Sequence, residues 1–535
     1  MRGLSACLLF MSGLLPVGAG AESPAPRDPK SPPRVQAYPT TPLAEFDEAL
    51  TLAVEGQTIP LEIHRCDKKI DCPHTLESSR ARFALSGPAQ VQLRTKGPTI
   101  RHAALKTVGK DLPVSSSGQT LSFALPAPGH YYLQLEGDSG FFRTVYFWAD
   151  DAAKPRVGPT DPGVMDVAKH GVASDAKADQ TTAIQALLDR CAATTDGGTV
   201  YFPAGVYRCG SLMIGSNTTL YLDRGALLKA KDTPGEFAKR FLYVRGAHNA
   251  RLAGPGTIDA NSATLLAHRP SISLHNVDAE DCHDLVIEDL LFRDSSSWGV
   301  HLIRCDGVRI RNVKVFSNRD GFDPDSSRDV LIENVFVQSL DDTIAVKARY
   351  DRPCERIAIR NAIVSTVKSA LKIGTETKAP IRGVTFENCE VFDTDRGIIV
   401  YARDGGDIEC CVWRNIRMNL IDYPNEKDSG TAFLFDIKKR GGISHIKDCL
   451  VENVTTNFIY RSHFTGIAES PVSGVILRNI TINAEPPKKD APPFFECSHV
   501  ADVRIEGLTI NWQGNEKRWS GIVSGTGLTV APPHP

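Results

Sequence analysis

The sequence predicts an all-β protein: a right-handed parallel β-helix with an N-terminal capping helix, preceded by a small antiparallel β-sandwich domain. A motif of apolar, charged, Asn-like and apolar residues recurs through the second half of the 535-residue chain. One amphipathic helical segment stands ahead of those repeats. The region before the helix is a series of short strands separated by Gly, Pro and Ser. The chain is also too long for one ordinary globular core.

The N-terminus has the order of a secretory signal. Arg2 is followed by the apolar run Leu4–Leu15 and by the small residues Ala19–Ala21, which predicts a signal peptide over 1–21 and a secreted or periplasmic protein. The apolar run is shorter than the ~20 residues that a spanning helix needs, and no later segment is long and apolar enough, so no membrane span is expected. Residues 22–37 are rich in proline and are predicted to be a flexible leader.

Composition and cysteine usage narrow the classes of partner. The net charge of −2 gives no indication of a nucleic acid partner. Twelve of the 13 cysteines remain once Cys7 is removed with the signal, and Cys66 and Cys72, which flank a short polar loop, are the expected disulfide pair. Several others lie in apolar runs and are expected to be buried thiols. Because the chain has no cysteine or histidine cluster at zinc spacing, we expect no metal and no cofactor.

Residues 38–150 form the first predicted domain. Short strands such as Gln90–Arg94 and His130–Leu135 alternate apolar with polar side chains and are separated by turn residues, which indicates a β-sandwich. We expect this domain to brace the rest of the protein rather than to bind carbohydrate. Residues 151–163 contain three prolines and are predicted to be the linker.

The β-helix is predicted over 164–535. It begins with a helix over Asp179–Cys191, whose start either Asp179 or Thr181 could cap. We expect this helix to cover the N-terminal end of the stack, where it hides the apolar core and blocks edge pairing.

The repeat that predicts the β-helix is seen in Val286–Leu290, Leu331–Val335 and Ile476–Ile480. Its Asn-like position recurs after 22 to 38 residues, a period typical of stacked strand-rich coils. One strand cannot bury its apolar face alone, whereas stacked coils share a continuous core. Asn tolerates left-handed backbone, so the recurring Asn predicts a ladder of side-chain amides at one turn of each coil.

Two neighbouring coils depart from the repeat and carry acidic clusters, in Asn318–Asp325 and Ser339–Lys347. Functional residues are expected where a sequence departs from its structural rule. Asp320 and Asp341 are 21 residues apart, about one coil, and should lie on neighbouring turns of one face. Asp341 and Asp342 are sequential, so both can face solvent only at a strand edge or bulge.

Three adjacent carboxylates repel one another, which raises the pKa of at least one of them. The result is a protonated acid beside ionised bases, the combination that hydrolysis of a glycosidic bond requires. We therefore predict that Asp320, Asp341 and Asp342 are catalytic. The alternative for any single aspartate is a turn cap or a calcium ligand.

Residues from about 164 to 480 resemble glycoside hydrolase family 28, the polygalacturonase and rhamnogalacturonase family. The family motifs NTDGxD and DDCxAxK correspond to Asn318–Asp323 and Asp341–Lys347. Ser297–His301 upstream and Ile373–Gly374 downstream match in the same order.

The resemblance implies an inverting hydrolase on a parallel β-helix. It gives Asp341 the role of general acid and Asp320 and Asp342 the activation of water. Inversion implies acid and base carboxyl groups roughly 6.5–9.5 Å apart.

Two departures from the family pattern bear on the substrate. Where the family has GHG, the chain has Lys368–Gly374, with Ser369 in place of the histidine. Where the family has RIK, whose cations contact a uronate carboxylate, the chain has Arg396–Arg403.

A β-sandwich ahead of a β-helix is also similar to the dextranase family, glycoside hydrolase family 49, which is inverting and acts on neutral α-glucans. Uronic and neutral substrates therefore both stay open.

The candidate substrate contacts are polar, charged and aromatic residues around the acidic cluster. Cations there could replace RIK or could be ordinary solvated charges, and an aromatic face beside acids can stack on a sugar. For His301 the alternative is core packing, and for Glu376 it is an ion pair with Lys372. The candidates are Trp298, His301, Asp323, Lys347, Ser369, Lys372, Glu376, Arg396, Tyr401 and Arg403.

Two other classes of function remain open. A polysaccharide lyase could hold calcium on the three aspartates, because calcium takes several oxygen ligands and acidifies the proton beside a uronate. A non-catalytic protein could use the β-helix as an extended glycan-binding surface. The partner in each case is a polysaccharide or oligosaccharide, and the sequence does not predict the oligomeric state.

Overall fold

The computed structural model describes residues 34–65, 77–233, 237, 239–423, 429–485, 493–513 and 522–531. The predicted signal peptide and the predicted Cys66–Cys72 pair lie outside the described residues. The prediction of a flexible leader is wrong at its end: Val35–Ala37 forms a strand that pairs with Phe83–Leu85, because Val35 completes the apolar core of the first domain.

The strands of the N-terminal region follow one another closely along the chain. They are β1 (Val35–Ala37), β2 (Leu50–Val54), β3 (Gln57–Ile59), β4 (Glu62–Arg65), β5 (Glu77–Leu85), β6 (Ala89–Thr95), β7 (Ile100–Thr107), β8 (Lys110–Leu112), β9 (Val114–Ser117), β10 (Thr120–Leu125), β11 (Gly129–Gly137) and β12 (Phe142–Asp151), with a 3₁₀ helix at Asp138–Gly140.

These strands form two sheets around one apolar core. The first has the order β1-β5-β12-β11-β7-β8 with β4 on β5, and the second has the order β3-β2-β6-β10-β9. The pairs are antiparallel except for β5 with β12. Alternation explains the core: in β6, Val91 and Leu93 are buried while their neighbours are exposed.

The second region consists of many more strands and two helices. The strands are β13 (Val164–Asp166), β14 (Asp175–Asp179), β15 (Gly198–Phe202), β16 (Gly205–Cys209), β17 (Leu212–Ile214), β18 (Thr218–Leu222), β19 (Ala226–Ala230), β20 (Arg240–Arg245), β21 (Arg251–Ala253), β22 (Thr257–Asp259), β23 (His275–Glu280), β24 (Val286–Glu288), β25 (Leu291–Ser295), β26 (Val300–Ile303), β27 (Arg309–Arg311), β28 (Lys314–Ser317), β29 (Phe322–Asp325), β30 (Arg328–Ser339), β31 (Ile344–Ala348), β32 (Cys354–Thr366), β33 (Ser369–Thr377), β34 (Ile381–Thr394), β35 (Arg396–Asp404), β36 (Ile408–Glu409), β37 (Val412–Leu420), β38 (Phe433–Gly442), β39 (Ile446–Lys447), β40 (Cys449–Asn457), β41 (Ser462–Thr465), β42 (Val472–Ala484), β43 (Phe495–Ser498), β44 (Val500–Trp512), β45 (Val523–Ser524) and β46 (Leu528–Val530). The helices are α1 (Thr181–Ala192) and α2 (Ser262–His268), with a 3₁₀ helix at Val167–His170.

This region is a parallel β-helix, as the repeat predicts. Each coil contributes one or two strands to a long sheet and one strand to a second sheet. The order of strands in the second sheet is β17-β20-β23-β26-β29-β31-β33-β35-β38-β41-β43-β45. The repeat's apolar position stacks in register, with Ile287 on Ile310, Ile310 on Ile332 and Ile332 on Ile359. All four side chains are fully buried in one core that runs through the stack.

The recurring Asn residues form the expected ladder. The Asn361 amide donates to Asn334 Oδ1 at 3.0 Å, and the Asn388 amide donates to Asn361 Oδ1 at 3.3 Å. The ladder continues through Asn415 and Asn453 at 3.2 and 3.0 Å. Each of these residues has a φ near +54°, a left-handed conformation that Asn adopts more readily than most residues.

Helix α1 begins two residues later than predicted. Its N-cap is Gln180, and the Asp179 carboxylate accepts a hydrogen bond from the Thr181 amide at 2.9 Å. Ile184, Leu187 and Leu188 are buried against the first coils. Helix α2 was not predicted, because seven residues are too few to show a helical apolar period.

Further expectations concern cysteines and membrane spans. Nine cysteines in the described part of the chain are free and buried, in agreement with the expected buried thiols. Over the same residues, no helix is long and apolar enough to cross a membrane.

Candidate active site

The acidic cluster lies in a column of turns that connect the long sheet to the second sheet. Asn318–Gly321 links β28 to β29, and Leu340–Thr343 links β30 to β31 on the next coil. The flanking strands pair Phe322 with Ile344, so the register partner of Asp320 is Asp342 rather than Asp341. Both Asp341 and Asp342 lie in the turn and not in a strand, which lets two sequential carboxyls reach one cluster.

The structure brings the three predicted catalytic aspartates together. One carboxylate oxygen from each of Asp320, Asp341 and Asp342 lies within 4.8 Å of the others. Asp320 and Asp342 are buried, whereas the side chain of Asp341 is 32% exposed. Asp341 is therefore the member of the cluster whose carboxyl a ligand in solution can reach.

Two lysines hold the buried carboxylates. The Lys347 ammonium lies 2.6 Å from Asp320 Oδ2 and 2.5 Å from Asp323 Oδ1. It also sits 3.8 Å from the centre of the Trp298 ring, a cation–π distance. The Lys372 ammonium contacts Asp342 Oδ2. Asp320 and Asp342 are therefore each neutralised by a lysine.

These contacts shift the pKa values of Asp341 and Asp320 in opposite directions. Burial, together with the charges of Asp342 and Asp320, raises the pKa of Asp341 to about 6. Burial alone would also raise the pKa of Asp320, but the Lys347 ammonium outweighs it and holds that pKa below its usual value. The cluster therefore combines an acid that is protonated below about pH 6 with an ionised base.

Three predicted substrate contacts are buried beneath this cluster. Asp323 is fully buried, and burial with the nearby Asp320 charge raises the pKa of its carboxyl well above the usual value. Lys347 and Ser369 are almost fully buried as well. Lys347 and Asp323 contact each other and the cluster, and direct sugar contact by these three residues stays a prediction.

The candidates on the following coils surround Tyr401. The Arg403 guanidinium stacks 4.7 Å from the Tyr401 ring centre and is paired with Asp436. The Lys372 ammonium lies 5.6 Å from the same ring. Arg396 Nε is 2.9 Å from Asp395 Oδ2. These cations are paired and partly or fully buried, and their replacement of the RIK cations as substrate contacts stays a prediction.

Glu376 does not pair with Lys372, whose ammonium contacts Asp342 instead. Its half-buried side chain lines a cavity of about 530 Å³ together with Trp298, Arg349 and Arg440. Glu376 therefore remains a candidate substrate contact on the side of the second sheet.

A larger cavity of about 780 Å³ lies on the N-terminal side of the cluster. Its lining includes Trp298 and His301 and also His275 and Asp278, which were not predicted. His301 Nε2 is 3.2 Å from Asp325 Oδ2, so His301 is part of a buried polar group rather than of the apolar core. Asp278 stacks on His301 in register, and an offset of 23 residues along the repeat would have identified it.

Two clusters in the described part of the chain gather three potential metal ligands. The first is the aspartate cluster, in which lysines already contact Asp320 and Asp342. The second is His275, Asp278 and His301, where Arg240 is 2.8 Å from Asp278. Because cations occupy carboxylate oxygens in both, neither donor set fits a strongly bound calcium ion.

The chain is similar to known proteins over most of its length. The family model described as glycosyl hydrolases family 28 matches residues 195–501. A probable polygalacturonase from Vitis vinifera is 23% identical over 57% of this chain and 71% of its own length. The endo-polygalacturonase of Pectobacterium carotovorum subsp. carotovorum is 25% identical, over 52% of this chain and 79% of its own.

Solved structures share the fold. The family 28 exopolygalacturonase of Yersinia enterocolitica has a TM-score of 0.54 and 16% identity, over 84% of this chain and 98% of its own. Dex49A from Penicillium minioluteum has a TM-score of 0.53 and 12% identity, over 93% of this chain and 97% of its own. At these identities the likeness concerns the fold alone.

Proposed function

Because the family model covers more than half of its residues, the chain belongs to glycosyl hydrolase family 28, and we propose that it is a secreted, inverting hydrolase of a pectic polysaccharide. It is a glycoside hydrolase of polygalacturonase type. The observation that carries the proposed mechanism is the partly exposed Asp341, with its pKa raised to about 6, beside two buried carboxylates that each contact a lysine.

In the proposed reaction, the Asp341 carboxyl donates its proton to the glycosidic oxygen as the bond from that oxygen to the anomeric carbon breaks. A water molecule hydrogen-bonded to Asp320 and Asp342 attacks the anomeric carbon from the opposite face. One of these carboxylates accepts the proton that the water loses. The products are two shorter sugars with one new reducing end.

The close spacing of the carboxyl groups bears on the stereochemistry. The nearest oxygens lie within 4.8 Å of one another. This is a distance between single atoms, whereas the roughly 6.5–9.5 Å typical of inverting enzymes separates whole carboxyl groups. Inversion is supported by family membership. Proton NMR of the first anomer released decides between inversion and retention.

A uronate-bearing substrate is supported by the charge of the larger cavity. Lys239, Arg319 and Arg349 line it, and the relatives described above are named as polygalacturonases. The order of the two predicted domains resembles that of the dextranase family and keeps a neutral α-glucan as the second candidate. A calcium-dependent lyase is disfavoured, since Lys347 and Lys372 occupy the carboxylate oxygens that calcium would need.

The domain roles belong to the same proposal. Residues 1–21 direct export, 38–150 form a sandwich that braces the β-helix, and 164–535 carry catalysis. The brace is supported by an aromatic cluster that joins Tyr146 and Trp148 to Phe316 and Phe336. The capping role of α1 is supported by its buried face against the first coils.

The test is hydrolysis of a panel of pectic, α-glucan and arabinan polymers, with and without a chelator. We expect chelator-insensitive release of reducing ends from a pectic polymer, and loss of that release in Asp341→Asn. The matched control is Asp329→Asn, an exposed aspartate whose ion pair with Arg356 lies away from the cluster. Chelator-sensitive products that absorb as unsaturated sugars would overturn the proposal, and a wild-type protein that binds but cleaves nothing would favour the glycan-binding alternative.

A further inference from the structure

One turn in the catalytic column is much longer than its neighbours. Residues 260–274 connect β22 to β23 and contain α2, whereas the next turns in the column have four residues each: Ser296–Gly299, Asn318–Gly321 and Leu340–Thr343. Parallel strands in a sheet are about 4.8 Å apart. The long turn, two coils before Asp320, therefore stands about 10 Å along the axis from the catalytic turn.

The long turn is fixed to the body of the protein. Leu265 on α2 is fully buried in the core of the β-helix. Ser262 Oγ donates to Asp294 Oδ1 at 2.6 Å. The Asn318 amide of the catalytic turn donates to Ser262 Oγ at 2.7 Å. The segment is thus a built wall whose position is tied to the catalytic turn.

The cavity of about 780 Å³ lies between this wall and the catalytic turns. Leu266, Pro270 and Ile272 of the long turn line one side, and Arg319 and Leu340, the residues that immediately precede Asp320 and Asp341, line the other. The volume is in the range of small-ligand pockets, about 300–1,000 Å³. On this side of the scission point the long turn therefore forms one border of a cavity that is open to solvent.

The floor of the pocket is polar, because His275, Asp278 and His301 line it. His301 Nδ1 lies 3.6 Å from Asp278 Oδ1, and His275 Nδ1 lies 3.7 Å from Asp278 Oδ2. Burial and the neighbouring His301 lower the pKa of His275 to about 3, which keeps its imidazole neutral. The neutral imidazole of His275 and the polar side chains beside it are suited to the hydroxyl groups of a sugar.

We infer that the enzyme is exo-acting: the pocket between the long turn and the catalytic aspartates holds the terminal sugars of a polysaccharide, and each event releases a short product from that chain end. This inference rests on the proposed function. The polymer extends away from the pocket on the other side of Asp341. The polar floor lies beneath the terminal unit, and the wall of Leu266, Pro270 and Ile272 prevents the chain from continuing.

The first test uses the wild-type protein and a long pectic polymer. Viscosity and new reducing ends are followed together, and early products are separated by size. We expect a single class of short product from the start and a slow fall in viscosity per bond cleaved. A ladder of long fragments with a rapid fall in viscosity would overturn exo action and leave the hydrolase proposal intact. Absence of cleavage on every polymer would overturn both.

The second test changes the wall. Replacement of residues 266–273 by a short Gly-Ser link should lengthen the early products and raise the viscosity loss per bond cleaved several-fold. A folded, active variant with unchanged products would contradict the inference. Ala267→Ser, exposed on α2 and outside the pocket lining, is the matched control.

A third variant tests the same inference if the protein with the shortened turn does not fold. Ser273→Trp places a large side chain in the pocket without removing the wall. We expect kcat/KM on short oligosaccharides to fall several-fold, with the pH profile unchanged because the aspartates are untouched. An unchanged kcat/KM would contradict occupation of the pocket by substrate.

Discussion

At the scale of single residues, three aspartates of identical chemistry differ because their neighbours differ. Lys347 and Lys372 each bind one buried carboxylate, whereas Asp341 is left partly exposed between two negative charges. Charge repulsion and burial thus produce an acid, and ion pairing produces bases, within one cluster. The sequence motif identifies the three residues, but the division of roles comes from lysines on two different coils.

The raised pKa of Asp341 predicts the alkaline side of the pH profile. The general acid must be protonated in the free enzyme, so kcat/KM should fall as pH rises through about 6. The measurement is initial rates on a pectic oligosaccharide from acid to neutral pH at constant ionic strength. A rate that rises through this range would contradict Asp341 as the acid.

Removal of the Lys372 charge should shift that profile. The ammonium lowers the pKa of Asp341 and holds Asp342, so Lys372→Met should move the alkaline limb to higher pH and reduce kcat by about 10²-fold, the scale of one acid–base contribution. Lys372→Arg should restore part of the rate at the original pH. Lys438→Met, an exposed lysine, is the control. An unshifted profile in a folded Lys372→Met protein would assign the lysine a structural role only.

At the scale of elements, the strands could be predicted from a residue pattern that recurs in every coil. The arrangement of the site could not be predicted in that way. Ile310 and Ile332 stack because every coil carries the same apolar position, so burial could be predicted from sequence alone. The neighbourhood of His275 and Asp278 depends on which coil lies beside which, so it follows from the 23-residue offset of the repeat and not from the residues around either position alone. Helix α2 was missed for a similar reason, because its single buried apolar anchor, Leu265, makes no period.

The Asn ladder makes a measurable contribution to these elements. Asn361 bonds to Asn334 and Asn388 and has a φ of +52°. Asn361→Gly should lose the amide bonds but keep the backbone relaxed, at a cost of about 1 kcal/mol. Asn361→Ala should cost about 1–2 kcal/mol more, because alanine is strained at positive φ. Equal melting temperatures for the two variants would mean that the backbone conformation carries no cost.

At the scale of the whole molecule, the two regions are joined by a buried charge pair as well as by aromatic packing. Lys314 of the β-helix is fully buried, and its ammonium lies 2.6 Å from Asp150 Oδ1 of the N-terminal domain. The Lys314 and Arg82 charges hold the pKa of Asp150 well below its usual value in spite of burial. Its contribution to stability is therefore present above the usual aspartate pKa and is lost as pH falls below it.

Breaking the ion pair between Lys314 and Asp150 should lower the stability of the protein without changing the chemistry of the active site. Lys314→Met removes the ammonium from Asp150, which keeps Arg82 at 3.1 Å, so we expect a cost of about 1.5–3 kcal/mol, the scale of one hydrogen bond to a charged group. Calorimetry at neutral pH should show a lower melting temperature, with the pH profile of kcat/KM unchanged below that temperature. Lys447→Met, which removes a partly exposed lysine from its ion pairs, should leave the melting temperature nearly unchanged. Equal effects of the two substitutions would contradict the importance of the buried joint.

Because the turns are stacked in a column, the depth of the pocket can change only in steps of one coil. Its floor and wall are set by whole coils, about 4.8 Å each, so the pocket cannot lengthen gradually. Moving the long turn by one coil would change the space for a chain end by one such step, while the aspartate turns kept their own register. Evolution, or a designer, could thus change the length of the released product by editing one turn, without touching the residues that carry out the reaction.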